Sequence, residues 1–208
     1  TGFPIYGAGK EWPAYTGAVV HAKAGADLKL QNISILGRRE IDSVIEGDSL
    51  IQIDEGAAVA MSADTKLRLN SLPIGKTGGA VKNNGGTLTV NGGTIQDVSA
   101  SKGSAVYQGG SMSIDGTSSI NGEVYLTGSG AADASSNYIS AASTYKPANG
   151  TVLKLNMDNS YGGRRVIQYP SGVEPDSNTK KYFSLDSSIL AIYHLENRSS
   201  DKNILELQ

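Results

Sequence analysis

The sequence predicts an all-β protein folded as a parallel β-helix, in which short strands stack coil upon coil. Short runs of alternating apolar and polar residues are separated by Gly-Gly, Asn-Gly or Asp-Gly pairs. Within Gly78–Leu126 the same pattern of runs and pairs occurs about twice. Period-two alternation is typical of strands, and a repeat made of several short strands is typical of a solenoid. The third observation is that equivalent apolar positions recur once per coil along the chain.

Composition limits the classes of protein. The 208 residues suffice for one domain or two small ones, and 26 Gly with 6% aromatics suit tight turns around a thin core. A net charge of -2 gives no electrostatic reason to expect nucleic acid as a partner. No apolar run approaches the roughly 18 residues of a transmembrane segment, and the absence of Cys excludes disulfides and thiolate metal sites.

Residues 1–17 are predicted to form an N-terminal cap. Trp12, Pro4 and Pro13 lie in this segment, and such a mixture does not favour a regular strand ladder. The open end of a stacked core must be covered, which favours a cap; sugar stacking by Trp12 is the alternative. The segment has neither the basic region nor the apolar core of a signal peptide, so the sequence is interpreted either as a mature form that has lost such a peptide or as an excised part of a longer protein.

Residues 18–127 are predicted to form coils of three strands each. Successive second-strand positions lie 31, 29 and 24 residues apart, and most of this variation falls after the third strand, with the stretch from Glu40 to Ile51 as the longest variable connection. The first strand position recurs as Val20, Ile51, Val81, Val106 and Val124, the second as Leu28, Val59, Leu88 and Met112, and the third as Ile35, Leu67, Ile95 and Ile120.

A meander of β-hairpins is the rival fold, since Asn-Gly and Asp-Gly pairs also form hairpin turns. A hairpin array would repeat its pattern strand by strand, whereas here three unlike strands form one unit. The parallel arrangement is therefore favoured.

The segments GGAVKNNGGTLTVNGGTI and GSAVYQGGSMSIDGTSSI, followed by NGEVYLTGSG, resemble the degenerate repeats of bacterial cell-surface and secreted proteins of the right-handed parallel β-helix, pectate-lyase-like superfamily. The resemblance is good over Gly78–Leu126, looser over Val19–Leu72 and faint beyond. It implies a right-handed coil and an exported protein, secreted or on the cell surface. It implies no single activity, because one fold supports both enzymes and inert scaffolds.

Residues 128–208 are predicted to form degenerate further coils and a C-terminal closing element, with a separate small β domain from about residue 145 as the alternative. The stretch 128–143 is rich in small residues and is interpreted as a long loop or a weak coil. Strands are predicted at Thr151–Met157, Arg164–Tyr169, Tyr182–Leu185, Leu190–Leu195 and Ile204–Leu207.

A candidate binding surface follows from the alignment of the coils. Gln52, Lys82, Tyr107 and Tyr125 occupy the outward position beside the first-strand column, so they are expected to form a ladder on one face. Stacked tyrosines suit the apolar faces of sugars, with Lys and Gln as hydrogen-bonding groups. Stacking that merely stabilises neighbouring coils is the alternative role.

The second candidate is a cluster of acids and arginines in the variable connection and the strand after it. The resemblance implies lyases that use carboxylate-bound Ca²⁺ beside an Arg base, and hydrolases of this fold require carboxylates that face one cleft. Neither pattern is met, which favours a solvated, self-paired cluster. Its members are Arg38, Arg39, Glu40, Asp42, Glu46, Asp48 and Asp54.

His21 and His194 are isolated from each other and from any acidic motif typical of a metal site or a catalytic triad, and they are interpreted as structural or surface residues. The sequence therefore predicts a non-catalytic, adhesin-like or glycan-binding module, monomeric and without a cofactor, whose partner is a polysaccharide or a host glycoprotein. A Ca²⁺-dependent polysaccharide lyase, or a glycoside hydrolase of the same fold, is the alternative function.

Overall fold

The computed structural model describes residues 4–6, 17–37, 47–128 and 137–208, with the backbone alone for 4–6. Within these ranges the chain is nearly all β and forms a parallel β-solenoid, so the predicted fold class is confirmed. The parallel pairing of successive coils excludes the hairpin meander, because a meander would pair neighbouring strands in opposite directions.

Three sheets run along the solenoid. In spatial order, sheet A contains β1 (Pro4–Tyr6), β4 (Ser34–Leu36), β7 (Lys66–Ser71), β10 (Thr94–Ser99) and β13 (Ser119–Ile120). Sheet B contains β18 (Phe183–Leu185), β16 (Leu153–Met157), β14 (Glu123–Leu126), β11 (Val106–Gln108), β8 (Val81–Asn84), β5 (Ile51–Asp54) and β2 (Val20–Ala22). Sheet C contains β19 (Leu195–Asn197), β20 (Ile204–Leu207), β17 (Arg165–Gln168), β15 (Ile139–Ala141), β12 (Ser111–Asp115), β9 (Thr87–Asn91), β6 (Ala58–Met61) and β3 (Asp27–Leu30).

The core consists of columns of apolar residues that stack in register. In sheet B, Ile51, Val81, Val106 and Val124 are directly paired from strand to strand, and all four are fully buried. The second and third columns follow the predicted register in sheets C and A. Each coil therefore buries its apolar side against the coils above and below it, at about 4.8 Å per step.

The corner between sheets B and C is packed backbone against backbone. Gly110 follows β11 and lies beside Gly86, the residue before β9; a Cβ on Gly110 would be 2.2 Å from the Gly86 carbonyl oxygen. The fully buried Asn83 closes this corner, since its Nδ2 donates hydrogen bonds to Gly86 O and Ser111 O, each at 3.1 Å. Glycine is required here because backbone atoms occupy the space of a side chain.

Arg164 joins two coils from inside the molecule. It is fully buried at the start of β17, and Nη2 donates to the carbonyl oxygens of Leu126 and Thr127, both at 3.3 Å. Nη1 donates to Asn159 O at 3.3 Å. The carbonyl oxygens of Leu126 and Thr127 also accept from the backbone N–H groups of Asp158 and Asn137, so the guanidinium adds a second hydrogen bond to each and links the coil of β17 to that of β14.

The C-terminal part closes sheet C with antiparallel strands, β17 with β20 and β20 with β19. It also holds the two α-helices of the described ranges, α1 (Ser177–Lys180) and α2 (Ser187–Leu190). The predicted strand Leu190–Leu195 is wrong, because α2 ends at Leu190 and β19 begins at Leu195. The Asp186 side chain accepts from Ser188 N and so favours a helical turn at this point.

In the described part of the chain, no helix is both long and apolar enough to cross a membrane.

Candidate functional site

The predicted ladder is a continuous column on the outer face of sheet B. Strand register pairs Gln52 with Lys82, Lys82 with Tyr107 and Tyr107 with Tyr125, and His21 and Asn156 extend the column at its two ends. The Tyr107 and Tyr125 rings are stacked, with centroids 5.9 Å apart and planes within 5°. The rings therefore contact each other along the solenoid axis and stabilise adjacent coils.

The environment of Tyr125 differs from the open, sugar-facing position that the sequence predicts. Its side chain is buried, with the residue 5% exposed. Lys102 Nζ lies 4.5 Å from the ring centroid, and the phenol hydroxyl donates to Asp158 Oδ1 at 2.5 Å. Since Tyr107 and Lys102 occupy the surroundings of the ring, stacking of a sugar on Tyr125 would require them to move.

This packing sets the protonation states of Lys102 and Tyr125. The contact with Tyr125, followed by the hydrogen bond to Asp158, raises the pKa of Lys102 to about 12, so the ammonium group stays protonated. Burial, followed by the hydrogen bond to Asp158, raises the pKa of Tyr125, so the phenol stays neutral. The two tyrosines thus belong to a polar and aromatic network, and a binding role of the ladder stays a prediction.

The N-terminal end of the column carries a hydrogen-bonded cluster. His21 Nε2 lies 2.7 Å from Asp54 Oδ2, and Gln52 Nε2 donates to Asp54 Oδ1 at 3.0 Å. The sequence pattern did not reveal this pair, because adjacent coils bring Asp54 beside His21 from 33 residues away, and the interpretation of His21 as a structural or surface residue stays a prediction. His21 and Asp54 are both partly exposed, at 38% and 35% of their side-chain surface.

Hydrogen bonds from Gln52 and then His21 lower the pKa of Asp54 below its ordinary value. A lowered folded-state pKa adds stability above the unfolded-state value of about 3.9, and this contribution is lost as the pH falls through the folded-state pKa. We expect an NMR titration of the Asp54 carboxyl carbon to give a midpoint below that value and Gln52→Ala to move it upward. An unchanged midpoint in Gln52→Ala would show that the Gln52 hydrogen bond is absent in solution.

The predicted cluster of acids and arginines is only partly described. Arg38, Arg39, Glu40, Asp42 and Glu46 lie outside the described residues. Asp48 Oδ1 accepts from the backbone N–H of Ser49, and its carbonyl oxygen accepts from Asn70 Nδ2. Asp54 belongs to the His21 cluster. Across the described ranges, no three His, Cys, Asp or Glu side chains form a group that could hold a metal ion.

A groove on the outer face of sheet C was not predicted from the sequence. Its floor is a column of small polar residues, Thr89, Ser113, Ser140 and Gln168, which strand register places side by side on β9, β12, β15 and β17. The groove has a volume of about 430 Å³, within the range of small-molecule sites. Its other lining residues are Asn91, Ile114, Asp115, Tyr138, Ala141, Ala142, Tyr169 and Pro170.

The polar groups of this groove are held in place by neighbouring coils. Ser113 Oγ donates to Thr89 Oγ1 at 3.2 Å, and Arg165 Nη1 donates to Gln168 Oε1 at 2.8 Å, so the Gln168 amide presents its Nε2 end as a donor. The Arg165 guanidinium also lies 3.8 Å above the half-buried Tyr138 ring. The result is a rigid row of hydroxyl and amide groups with one aromatic ring at its edge.

The fold and these surfaces define a class of protein, a β-solenoid module whose sheets carry regular columns of polar side chains. Comparisons with protein-family models, with curated proteins and with solved structures find no match for this chain. Membership of the chain in the pectate-lyase-like superfamily and its role in a bacterial surface protein therefore stay predictions.

Proposed function

We propose that the chain is a non-catalytic scaffold module of an exported bacterial surface protein, and that it presents its outward columns to glycans or host glycoproteins. The observation that carries this proposal is the strict register of polar side chains over successive coils, seen in the column from Thr89 to Gln168. The resemblance of the repeat to exported bacterial proteins supports the location.

A solenoid suits this task because every coil holds the next at a fixed spacing. Neighbouring side chains of one column are repeated at about 4.8 Å and need no ordering when a ligand binds. Short polar residues with backbone-fixed positions can hydrogen-bond the hydroxyl groups of a polymeric ligand over several coils. Rigid presentation therefore favours recognition of an extended, hydroxyl-rich molecule.

The test is binding of the 208-residue chain to immobilised glycans and to mucin, followed by calorimetry with the strongest binders. We expect saturable binding to a subset of glycans. The same samples, incubated with and without Ca²⁺, are assayed for reducing ends and unsaturated products, and we expect neither. Absence of binding throughout would reject the glycan-binding role, whereas appearance of products would replace it with the lyase or hydrolase alternative.

A further inference from the structure

The groove on sheet C offers a ligand a mixture of donors and acceptors. The Ser140 hydroxyl and the Asn91 amide can donate and accept, the Ser113 hydroxyl can accept while it donates to Thr89, and Gln168 offers its Nε2 as a donor. The ring of Tyr138, with Ala142 and Pro170, supplies apolar surface beside them. A ligand that matches this lining carries many hydroxyl groups together with small apolar faces, as a sugar does.

The charged groups near the groove are already engaged within the protein. Asp115 Oδ1 accepts from the backbone N–H of Gly116 and from the Thr144 hydroxyl. Arg165 binds Gln168 and stacks on one face of the Tyr138 ring, which still lines the groove. Asp115 is the charged residue among those that line the groove, and the neighbouring Arg165 guanidinium is bound to Gln168 and Tyr138, so an acidic ligand would meet a carboxylate and no cation in the lining itself. This charge arrangement favours an uncharged ligand.

The backbone of the groove floor argues against a peptide that binds by adding a strand. β9 pairs with β6 and β12, and β12 pairs with β9 and β15, so the backbone groups of these strands are used inside the sheet. Strand addition requires an exposed edge, which the floor of this groove does not have. Recognition must therefore come from the side chains of the columns.

We propose that the groove on sheet C, formed by Thr89, Ser113, Ser140, Gln168 and Tyr138, binds a short neutral saccharide. This inference rests on the proposed glycan-binding function and assigns it to sheet C instead of to the tyrosine ladder of sheet B. The sugar lies along the column of hydroxyl and amide groups, and one of its apolar faces packs against Tyr138. Uronate-containing saccharides are discriminated against by Asp115.

The experiment uses calorimetry of the whole chain with neutral hexose and N-acetylhexosamine oligosaccharides, with oligogalacturonate and with a panel of unstructured peptides. For the neutral binder, we expect Tyr138→Ala to weaken affinity about ten-fold, as for an aromatic contact residue. Ser140→Lys, at an exposed position of the groove floor, fills the groove and is expected to abolish binding. Oligogalacturonate is expected to bind at least about ten-fold more weakly than the neutral binder. Asp115→Asn is expected to reduce this difference in affinity.

The matched control is Gln31→Lys, which adds the same side chain at an exposed position of the first coil, away from the groove. It is expected to retain the affinity of the unmodified chain, and thermal unfolding establishes that every variant is folded. Tyr107→Ala tests the ladder and is expected to leave the affinity unchanged.

The outcomes separate the two proposals. If no glycan binds, the proposed function fails and this inference fails with it. If a neutral saccharide binds but Ser140→Lys and Tyr138→Ala have no effect, or Tyr107→Ala abolishes binding, the groove assignment is overturned while the proposed function stands. Oligogalacturonate binding as tightly as the neutral binder overturns the ligand class. A peptide that binds in the groove in place of every saccharide overturns the inference as well.

Discussion

Gly110→Ala is expected to lower the free energy of unfolding by about 3 kcal/mol or more, which places it among the most destabilising single substitutions. The added Cβ would lie 2.2 Å from Gly86 O, 2.7 Å from the Gly85 carbonyl carbon and 2.8 Å from Gly86 N. All three are backbone atoms of the preceding coil, so no side chain can turn aside. The coils must separate at this corner, and the Asn83 hydrogen bonds there are weakened as a result.

Urea denaturation measures this change, with Gly162→Ala as the control. A Cβ on Gly162 would meet no atom within 4 Å, so that variant is expected to change stability by less than about 0.5 kcal/mol. Equal effects of the two substitutions would mean that the backbones of the third and fourth coils do not approach each other as closely as described.

Arg164→Ala is expected to cost about 3 kcal/mol, because it leaves a cavity where the fully buried side chain lay and removes the hydrogen bonds by which the guanidinium joins two coils. The carbonyl groups of Leu126 and Thr127 at the end of β14 both lose their guanidinium donor. Arg164→Lys keeps the positive charge but replaces a planar, branched donor with a single ammonium, so we expect it to recover only part of the loss.

Thermal and urea unfolding compare these variants with Lys146→Ala, which truncates an exposed cation and is expected to be nearly neutral. Hydrogen exchange provides a local check, since protection should fall first in β14 and β17. A stability of Arg164→Ala equal to that of Lys146→Ala would contradict the linking role of this arginine.

The apolar columns could be predicted because a parallel solenoid repeats its contacts once per coil. In such a fold, aligning the repeats also lists the neighbours in space, and the pairing of Leu28 with Val59 and of Val59 with Leu88 follows the aligned positions. The Gly and Asn residues mark the corners between successive strands. The core between residues 18 and 127 is therefore predictable from spacing alone.

The parts that could not be predicted depend on contacts outside the repeat. The burial of Tyr125 comes from Lys102 and Asp158, whose positions in variable segments the alignment does not fix. The groove on sheet C needs Tyr138 and Gln168 from coils whose apolar pattern is weak, since β15 is only three residues long and lies in a stretch of small residues. A pattern of apolar residues identifies the inward-facing positions of such coils, but it does not show where their outer surface forms a groove.

From β4 onwards, the connections that follow sheet A shorten steadily along the chain. They span residues 37–50, 72–80, 100–105 and 121–122, whereas the turns from sheet B to sheet C between β2 and β12 stay within two to four residues. The connections on this side of the solenoid can therefore vary in length without disturbing the other two sides. Foreign epitopes or affinity tags grafted at the exposed residues 74–76 should leave the groove on sheet C intact, which makes that side a natural place for engineering or for divergence among relatives.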